Sequence, residues 1–403
     1  MNRIVIVGNG FDLGHRLLTG YNHFIDHLKV EFMNLVNDRN YIGVLNHKLF
    51  RFEPIERINY DSVNNMYLMI EADKKFTNWN ELIRIKEAYY DFQIGYKSMQ
   101  LIRSSSIVYK NKFLGYVFNQ ALTDSWGGFE EDYKNVLIAI LQDRVKELDE
   151  NFRIYSVRHL NNDLAQIIDL LYNYLKNINP IEKASPEIVG RLYAPPLLNW
   201  KQHNDFNDIL GTVPDGKDED FTKTLKHVLF LSFNYTKTIQ NYLIKNLQKD
   251  NLEHAIPFDI SDENTQSSLR YIHGDLEYGG RSSMIFGYGD ELNQLQSDLE
   301  MQKDDFLKHM KSVLYTRSPS YREVIDYADA DKFDIIIYGH SCSNTDRTLL
   351  NTLFEHKNCV SIQPFLHNVN DTSIYFNIYR CFKNKQLMRS RVVDETNTVR
   401  DGV

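Results

Sequence analysis

The chain has 403 residues, with 46 Lys and Arg against 54 Asp and Glu, which gives a formal net charge of −8. This acidic balance argues against a general nucleic-acid coat protein, which needs a concentrated basic surface, and an apolar share of 42% is too high for a disordered chain. Three cysteines are too few for a disulfide framework and favour a reducing compartment. No apolar run approaches the ~18 residues of a membrane span, and Met1–Phe11 lacks the charged-then-apolar build of a signal peptide. We therefore expect a soluble, globular, cytoplasmic protein.

The first predicted elements are a strand, a glycine turn and a helix. Ile4–Val7 is a β-branched run typical of a buried strand, and Gly8–Gly10 closes it. Leucines at helical spacing follow the turn. A second helix is predicted from Tyr21 to about Asn37, with apolar side chains along one face.

Helical patterns dominate the middle of the chain, and no segment from about residue 48 to 178 resembles a buried parallel strand. We predict helices over Leu82–Arg103, Phe129–Leu148 and Arg158–Leu175. Five of the nine prolines lie between Pro180 and Pro214, which indicates an irregular arm at 180–220.

Apolar strands alternate with helices in the last part of the chain, which predicts a mostly parallel sheet covered on both faces. The fold class is therefore α/β: a Rossmann-like, mostly parallel sheet built from both chain ends, residues 1–40 and 226–403. A large, mostly helical insertion occupies 41–225 and includes the Pro-rich arm at 180–220. The predicted strands are Val228–Leu231, Tyr271–Ile272, Met284–Phe286, Asp334–Tyr338, Cys359–Ile362 and, at an edge, Ser373–Asn377; the predicted helices begin at Thr236, Asn293, Ser320 and Asn344.

Parallel sheets bind ligands at the carboxyl ends of their strands, and the first candidate segment there is Gly8–Asp12. Its glycines let the backbone approach a phosphate, and the following helix N-terminus favours an anion. The dinucleotide fingerprint GxGxxG is not met, because the third glycine is Gly14. The alternative is a plain strand-to-helix connection in which Asp12 stabilises the positive end of the helix.

Two further segments end predicted strands with polar side chains. Asn234 offers both a donor and an acceptor for a ribose hydroxyl or a water, although Asn234 or Thr236 can instead cap the following helix. His273 follows a strand next to a glycine and suits a general acid or base near neutral pH, although a structural histidine is the alternative. No Cys or His pair stands at metal-ligand spacing, so no metal is expected.

The fourth segment follows the most apolar strand. Gly339 and Ser341 are placed to receive an adenosine ribose or phosphate at the start of the helix near Asn344; the alternative is a plain turn with a polar cap. Separately, Lys and Arg alternate with Tyr and Phe between Arg84 and Tyr116. That pattern fits either nucleic-acid stacking or a packed helical face bordered by snorkelling cations.

Together these segments resemble one family. The string Ile6–His15, with the residues that follow it up to Phe24, resembles the opening of AbiH-type abortive-infection proteins, which are bacterial phage-defence proteins. The later blocks Ser232–Thr236, Ile272–Gly274 and Tyr338–Asp346 also match. Inside the insertion, Trp126, Phe129 and Glu130 resemble a Trp-and-Glu element of the family.

More remotely, the same order resembles sirtuin-like domains, including defence effectors that hydrolyse NAD. This resemblance implies that the first glycine loop holds the pyrophosphate, that Asn234 faces the nicotinamide ribose and that His273 performs polar catalysis. Sirtuins carry an Asp where Thr236 stands here, and their cysteine-based zinc module is missing, so protein deacylation is not expected. NAD hydrolysis to nicotinamide and ADP-ribose is the implied reaction.

The expected catalytic residues are Asn234, which orients the ribose or the attacking water, His273, which accepts a proton, and Asp12, which stabilises developing positive charge. NAD is expected as the substrate, with no further cofactor and no metal. Two alternatives stay open: a nucleotide-binding sensor or regulatory module without catalysis, and a nucleic-acid-acting toxin. The expected nucleotide contacts are Gly8, Asn9, Gly10, Phe11, Thr19, Tyr21, Tyr235, Gly339, Ser341 and Asp346.

The aromatic residues are concentrated in the insertion. Phe50 to Tyr133 holds 15 of the 48 Tyr and Phe residues. Because Tyr is frequent at interfaces, we expect the insertion to mediate a homo-oligomer or to bind an accessory defence protein. The expected small-molecule partner is NAD or a related nucleotide, membrane binding is not expected, and the acidic charge disfavours nucleic acid.

Overall fold

The computed structural model describes residues 1–38, 45–46, 50–60, 88–94, 97–119, 125–148, 155–178, 186–193, 225–246, 258–261, 266–277, 280–289, 302–366 and 372–393. The strands are β1 (Asn2–Val7), β2 (Leu45–Asn46), β3 (Phe50–Tyr60), β4 (Ala88–Ile94), β5 (Lys97–Tyr109), β6 (His227–Ser232), β7 (Phe258–Ser261), β8 (Gln266–Tyr271), β9 (Phe333–Tyr338) and β10 (Cys359–Phe365). The helices are α1 (Asn9–Gly14), α2 (Tyr21–Asp38), α3 (Lys112–Asn119), α4 (Trp126–Leu141), α5 (Val145–Leu148), α6 (Val157–Lys176), α7 (Pro186–Leu192), α8 (Thr238–Asn246), α9 (Asp304–Leu307), α10 (Lys311–Tyr315), α11 (Pro319–Ala330), α12 (Arg347–Phe354), α13 (Ser373–Cys381) and α14 (Lys385–Arg391), with short 3₁₀ helices at Gly280–Ser283 and Asn344–Asp346.

The main sheet has six strands in the order β10-β9-β1-β6-β8-β7. The first five run parallel, and β7 pairs antiparallel with β8 at the edge. The N-terminal strand β1 lies between two strands from the second half of the chain, and Val5 pairs with both Phe230 and Ile336. The predicted α/β, Rossmann-like fold built from both chain ends is therefore confirmed.

Strand β1 is buried along its whole length because helices cover both faces of the sheet. Its apolar side chains alternate between two clusters: Ile4 and Ile6 pack on one face, and Val5 and Val7 on the other. Arg3 is fully buried and is satisfied by an ion pair of 2.7 Å with Asp334 and a hydrogen bond to a helix carbonyl. The strand is therefore held by side chains as well as by its two parallel ladders.

Helices of the insertion build a third apolar cluster. Helix α6 contributes an apolar stripe, from Leu160 to Leu175, and α4 contributes Phe129 and Tyr133. Ser125 caps the N-terminus of helix α4, and its hydroxyl accepts the Gly128 N–H at 3.1 Å. Helix α2 and the segment after β8 pack into the same cluster, so the insertion helices lie against the sheet unit.

Three predicted elements are wrong, and two of them form a different secondary structure. Leu82–Arg103 is not a helix, because the described part of it forms β4 and the start of β5, in a four-stranded antiparallel sheet of order β2-β3-β5-β4. Ile94 pairs with Lys97 in a hairpin, and the Tyr, Phe and Ile content of these strands favours that structure. Ser373–Asn377 is not a strand: it begins helix α13, whose Ile378 and Cys381 are buried at helical spacing.

Other differences are smaller. Met284–Phe286 is not a strand, although the Ile285 N–H donates to the His273 carbonyl at 2.8 Å. Strand β7 has no counterpart among the predictions. The helix expected from Asn293 and most of the arm at 180–220 lie outside the described residues.

For β3, β4 and β5 the structure describes the backbone path. The predicted self-association through Phe50–Tyr133 therefore stays a prediction. Among the helices described, none has the length and apolar character needed to cross a membrane.

Candidate functional site

A cleft of about 460 Å³ opens at the carboxyl edge of the parallel sheet. It lies between the loops that follow β1, β6, β9 and β10 on one side and insertion helices α4 and α6 on the other. Its size is that of an ordinary small-molecule site. Most of the predicted site residues line it: Asn9, Gly10, Asp12, Thr19, Tyr21, Asn234, Tyr235, Gly339, Ser341 and Asp346.

The glycines after β1 bring two loops into contact. A Cβ on Gly10 would lie 2.8 Å from the Gly339 Cα, and Gly339 itself has a φ of +68°, which only glycine adopts easily. The Gly10 N–H donates to the Gly339 carbonyl at 2.7 Å, and the Gly8 N–H donates to the Tyr338 carbonyl at 3.0 Å. These two amides are therefore engaged inside the protein and are not free to bind the pyrophosphate expected of them.

Phe11 also has a packing role. Its side chain is fully buried and makes edge contacts with Tyr242 and Tyr338, on the far side of the loop from the cleft. Its N–H donates to the Gly8 carbonyl at 2.9 Å. Phe11 and Gly8 thus shape the loop and do not line the cleft.

Asp12 presents an unsatisfied carboxylate oxygen. The side chain is 1% exposed, and its Oδ2 accepts a hydrogen bond of 2.6 Å from the Thr236 hydroxyl. Its Oδ1 is buried and has no hydrogen-bond partner among the described residues. Burial raises the pKa of Asp12, and the Thr236 and Thr238 hydroxyls oppose that rise. A buried acceptor without a partner on a cleft wall is a group that a ligand or water can satisfy.

Asn234 lies beside this carboxylate. Its Nδ2 donates to the Gly8 carbonyl at 3.0 Å, which fixes the amide at the cleft wall. Helix α8 begins four residues later, at Thr238, so the Asn234 side chain does not cap it. The cap is therefore excluded for Asn234, and its role toward a ligand stays a prediction.

Thr19 and Trp126 form the opposite part of the wall. The Thr19 hydroxyl is buried and lacks a hydrogen-bond partner within the described part of the chain. The Trp126 Nε1 donates to the Thr19 carbonyl at 3.0 Å, and its ring meets Tyr21 and Phe286 edge-on. This side of the cleft combines an aromatic surface with an unsatisfied hydroxyl.

A buried charge cluster closes the inner end, formed by Glu130, His273, Lys311, His340 and Asp346. The Lys311 Nζ lies 2.8 Å from the Glu130 Oε2 and 2.8 Å from the Asp346 Oδ1. The His273 Nε2 lies 3.2 Å from the same Asp346 oxygen, and the His340 Nε2 lies 3.5 Å from its Oδ2. All five side chains are buried.

The charges in this cluster are mutually stabilised. Burial alone would raise the pKa of Asp346, but the Lys311 ammonium and the two histidines hold it well below its usual range. Burial opposes charge on Lys311, yet the Asp346 and Glu130 carboxylates raise its pKa. Asp346 and Lys311 are therefore an ion pair at neutral pH.

His273 does not line the cleft. Its Nε2 lies 3.0 Å from the Tyr315 hydroxyl and its ring stacks on that of Tyr315, so the imidazole contacts the cleft through Asp346. Burial and the Lys311 ammonium lower the pKa of His273, which makes it neutral at pH 7. Its position differs from that expected of a base in direct contact with a substrate.

Sequence reasoning assigned no role to His340 or Lys311. His340 lines the cleft, and its Nδ1 accepts the Cys342 N–H at 3.0 Å, which leaves the Nε2 hydrogen directed at Asp346. His340 lies inside the block Tyr338–Asp346, and its position next to Gly339 is the feature of the sequence that could have indicated a role in the site. Lys311 is a single lysine without a motif, and only the fold brings it to the carboxylates.

The chain matches the family described as bacteriophage abortive infection AbiH over residues 4–367. It belongs to the AbiH family. The resemblance seen in the sequence is thereby confirmed, and membership indicates a role in abortive infection against bacteriophage. No curated protein and no solved structure matches the chain.

The match with the AbiH family reaches across the insertion and nearly all of the cleft, since the lining residues up to Leu366 fall within it. In the parts of this AbiH protein that the structure describes, no group of three or more His, Cys, Asp or Glu side chains could hold a metal ion. Asp346 instead pairs with the Lys311 ammonium.

Proposed function

We propose that this AbiH-family protein acts in abortive infection by hydrolysing the N-glycosyl bond of NAD in the cleft. The observation that carries the proposal is the Asp12 carboxylate, which is buried at the cleft wall with one oxygen unpartnered among the described residues. Around it the cleft offers an amide, an unsatisfied hydroxyl and an aromatic wall. These are groups that suit a ribose joined to a flat base.

The chemistry requires a negative charge and a proton acceptor at the same place. As the bond between the ribose C1′ and the nicotinamide nitrogen breaks, its electron pair leaves with neutral nicotinamide and positive charge builds on the sugar. The Asp12 carboxylate stabilises that charge. Water then forms the new C1′–O bond and gives its proton to the Asp12 Oδ1, which leaves ADP-ribose.

The environment of Asp12 supports the role of base. A catalytic carboxylate works best when its pKa is raised toward the operating pH, and burial raises the pKa of Asp12. In the sirtuin-like pattern an Asp stands at the position of Thr236. Here the Thr236 hydroxyl donates to Asp12, so a carboxylate lies next to that position although it comes from another loop.

Asn234 and His273 have different roles in this proposal. The amide N–H groups of Asn234 are directed at the Gly8 carbonyl and at Asp12, and its carbonyl oxygen is the atom that would orient water or a ribose hydroxyl. His273 acts behind Asp346 and not on the substrate. Trp126 and Phe286 supply an aromatic surface for a base ring.

The test is the release of free nicotinamide from NAD by purified protein, with and without lysate of phage-infected cells. We expect Asp12→Asn to lower the rate by roughly 10²–10⁴, and Asn234→Ala to lower it as well. Asp26→Asn is the matched control, because it makes the same change on the exposed side of α2; its rate should equal that of the wild type.

One specific observation favours a second candidate, a nucleotide-binding sensor without catalysis. The Gly8 and Gly10 amides and the His273 imidazole are all engaged within the protein. NAD binding that depends on Asp12, with no nicotinamide released under either condition, would establish the sensor and exclude hydrolysis. Binding of nucleic acid that weakens steeply with salt would instead favour the toxin alternative.

A further inference from the structure

Lys311 joins the insertion to the sheet unit, because its buried ammonium pairs with one carboxylate from each. It begins helix α10, is 1% exposed and contacts Glu130 of insertion helix α4 and Asp346 of the loop after β9. Its backbone N–H donates to the Tyr288 carbonyl at 2.8 Å, which fixes the start of the helix. A lysine so deeply buried requires partners of opposite charge.

Three titratable side chains from different segments contact the Asp346 carboxylate. Lys311 approaches from α10, His273 from the loop after β8 and His340 from the loop after β9. Glu130 of α4 lies on the far side of Lys311, and its Oε1 accepts the Gly287 N–H at 3.2 Å. The hydroxyl of Tyr315 faces His273, and Tyr235 after β6 lies close enough to interact electrostatically with both carboxylates.

We propose that Lys311 is a positioning residue of the cleft, which holds Asp346 in place as a carboxylate between His273 and His340 and is itself held by Glu130 of the insertion. The proposal rests on the proposed function in one respect: Asp346 is then a wall of the NAD site. Lys311 acts through Asp346 and does not touch the substrate.

The charge balance gives this role a measurable signature. Two carboxylates and one ammonium carry a net charge of −1, and removing the ammonium leaves two uncompensated buried carboxylates. A positive charge on His273 relieves that imbalance, so His273 should titrate at higher pH in Lys311→Met. Glu130→Gln leaves a one-to-one pair of Lys311 and Asp346, so in that variant His273 should not titrate at higher pH.

The experiment is a pH titration by NMR of the full chain labelled with ¹³C at the histidine Cε1, with His273 and His340 assigned from His273→Gln and His340→Gln. Lys308→Met is the matched control, since Lys308 is exposed three residues from Lys311. We expect an upward shift for His273 and a fall in nicotinamide release in Lys311→Met, and neither change in Lys308→Met.

If Lys311→Met does not fold, the double variant Lys311→Met/Glu130→Gln decides, because it keeps the Asp346 carboxylate in contact with His273 and lacks the ammonium that lowers the pKa of His273. His273 should titrate above its wild-type pH there too. An unchanged His273 titration in the folded variant overturns the role of Lys311, whether or not NAD is cleaved. If His273 titrates at higher pH in Lys311→Met but the wild type releases no nicotinamide, the role of Lys311 stands and the hydrolase is refuted.

Discussion

Two buried carboxylates line the same cleft in opposite electrostatic settings. Asp12, after β1, has hydroxyl partners and one unsatisfied oxygen, and burial raises its pKa. Asp346, after β9, is equally buried, yet Lys311 and two histidines hold its pKa well below the usual range. Burial alone therefore does not decide the state of a carboxylate, and the charged partners do. In the proposed function this difference makes Asp12 the candidate proton acceptor and Asp346 a fixed negative charge.

The largest effect on stability is expected at Asp346. Asp346→Asn removes one partner of a buried ion pair and should lower the free energy of unfolding by about 3–5 kcal/mol at pH 7, measured by urea denaturation. Because the folded-state pKa is lowered, this stabilisation is complete above the unfolded value of 3.8 and is lost as the pH falls through the folded-state pKa. A loss of less than about 1 kcal/mol in the free energy of unfolding would show that this ion pair stabilises the fold no more than a surface ion pair does.

The contact between the two loops should be nearly as sensitive. Gly339→Ala places a Cβ against the Phe11 backbone nitrogen at a positive φ, and we expect a cost of about 2–4 kcal/mol in urea unfolding. Gly14→Ala is the control, since nothing lies within 4 Å of its added Cβ. Equal effects at the two glycines would show that the close approach of the loops is not required.

Asp12→Asn should change the free energy of unfolding in the opposite direction to Asp346→Asn. Between the unfolded pKa of 3.8 and the raised folded-state value, the folded wild type binds more protons, so its stability falls as pH rises through that window. The Asp12→Asn variant lacks this dependence of stability on pH. At pH 7 it should gain about 1.4 kcal/mol for each unit by which burial raises the pKa of Asp12, measured by urea unfolding from pH 4 to 8. A loss of stability at pH 7 would contradict the assignment.

The smallest effect is expected at Thr236. Thr236→Val removes the hydrogen bond to Asp12 and should cost about 1 kcal/mol of stability. The hydroxyl stabilises the charged carboxylate, so its loss raises the pKa of Asp12 further, and the acidic limb of nicotinamide release against pH should move to higher pH. Thr236→Ser should restore both values. An unmoved limb would exclude Asp12 as the titrating base.

Much of the sheet could be predicted because its strands are continuous β-branched runs. Ile4–Val7 and Asp334–Tyr338 have that pattern, and the rule that parallel strands end at a common edge brought Asp12 and Asn234 together. The antiparallel strands of the insertion mix polar and apolar residues and lack such a signal, and the pattern over Leu82–Arg103 wrongly indicated a helix. The sequence does not show whether a side chain such as His273 lines the cleft or lies behind a lining residue, because that depends on tertiary packing.

The central place of β1 has a consequence for synthesis of the protein. Strand β1 has β6 and β9 as its neighbours in the finished sheet, and both are made much later than β1. Gly339 and Asp346, which line the cleft, follow β9 and are therefore made later still. A nascent chain that ends before β9 therefore has β1 unpaired on one side and lacks part of the cleft wall, so the cleft forms only after β9 and the loop that follows it have been made.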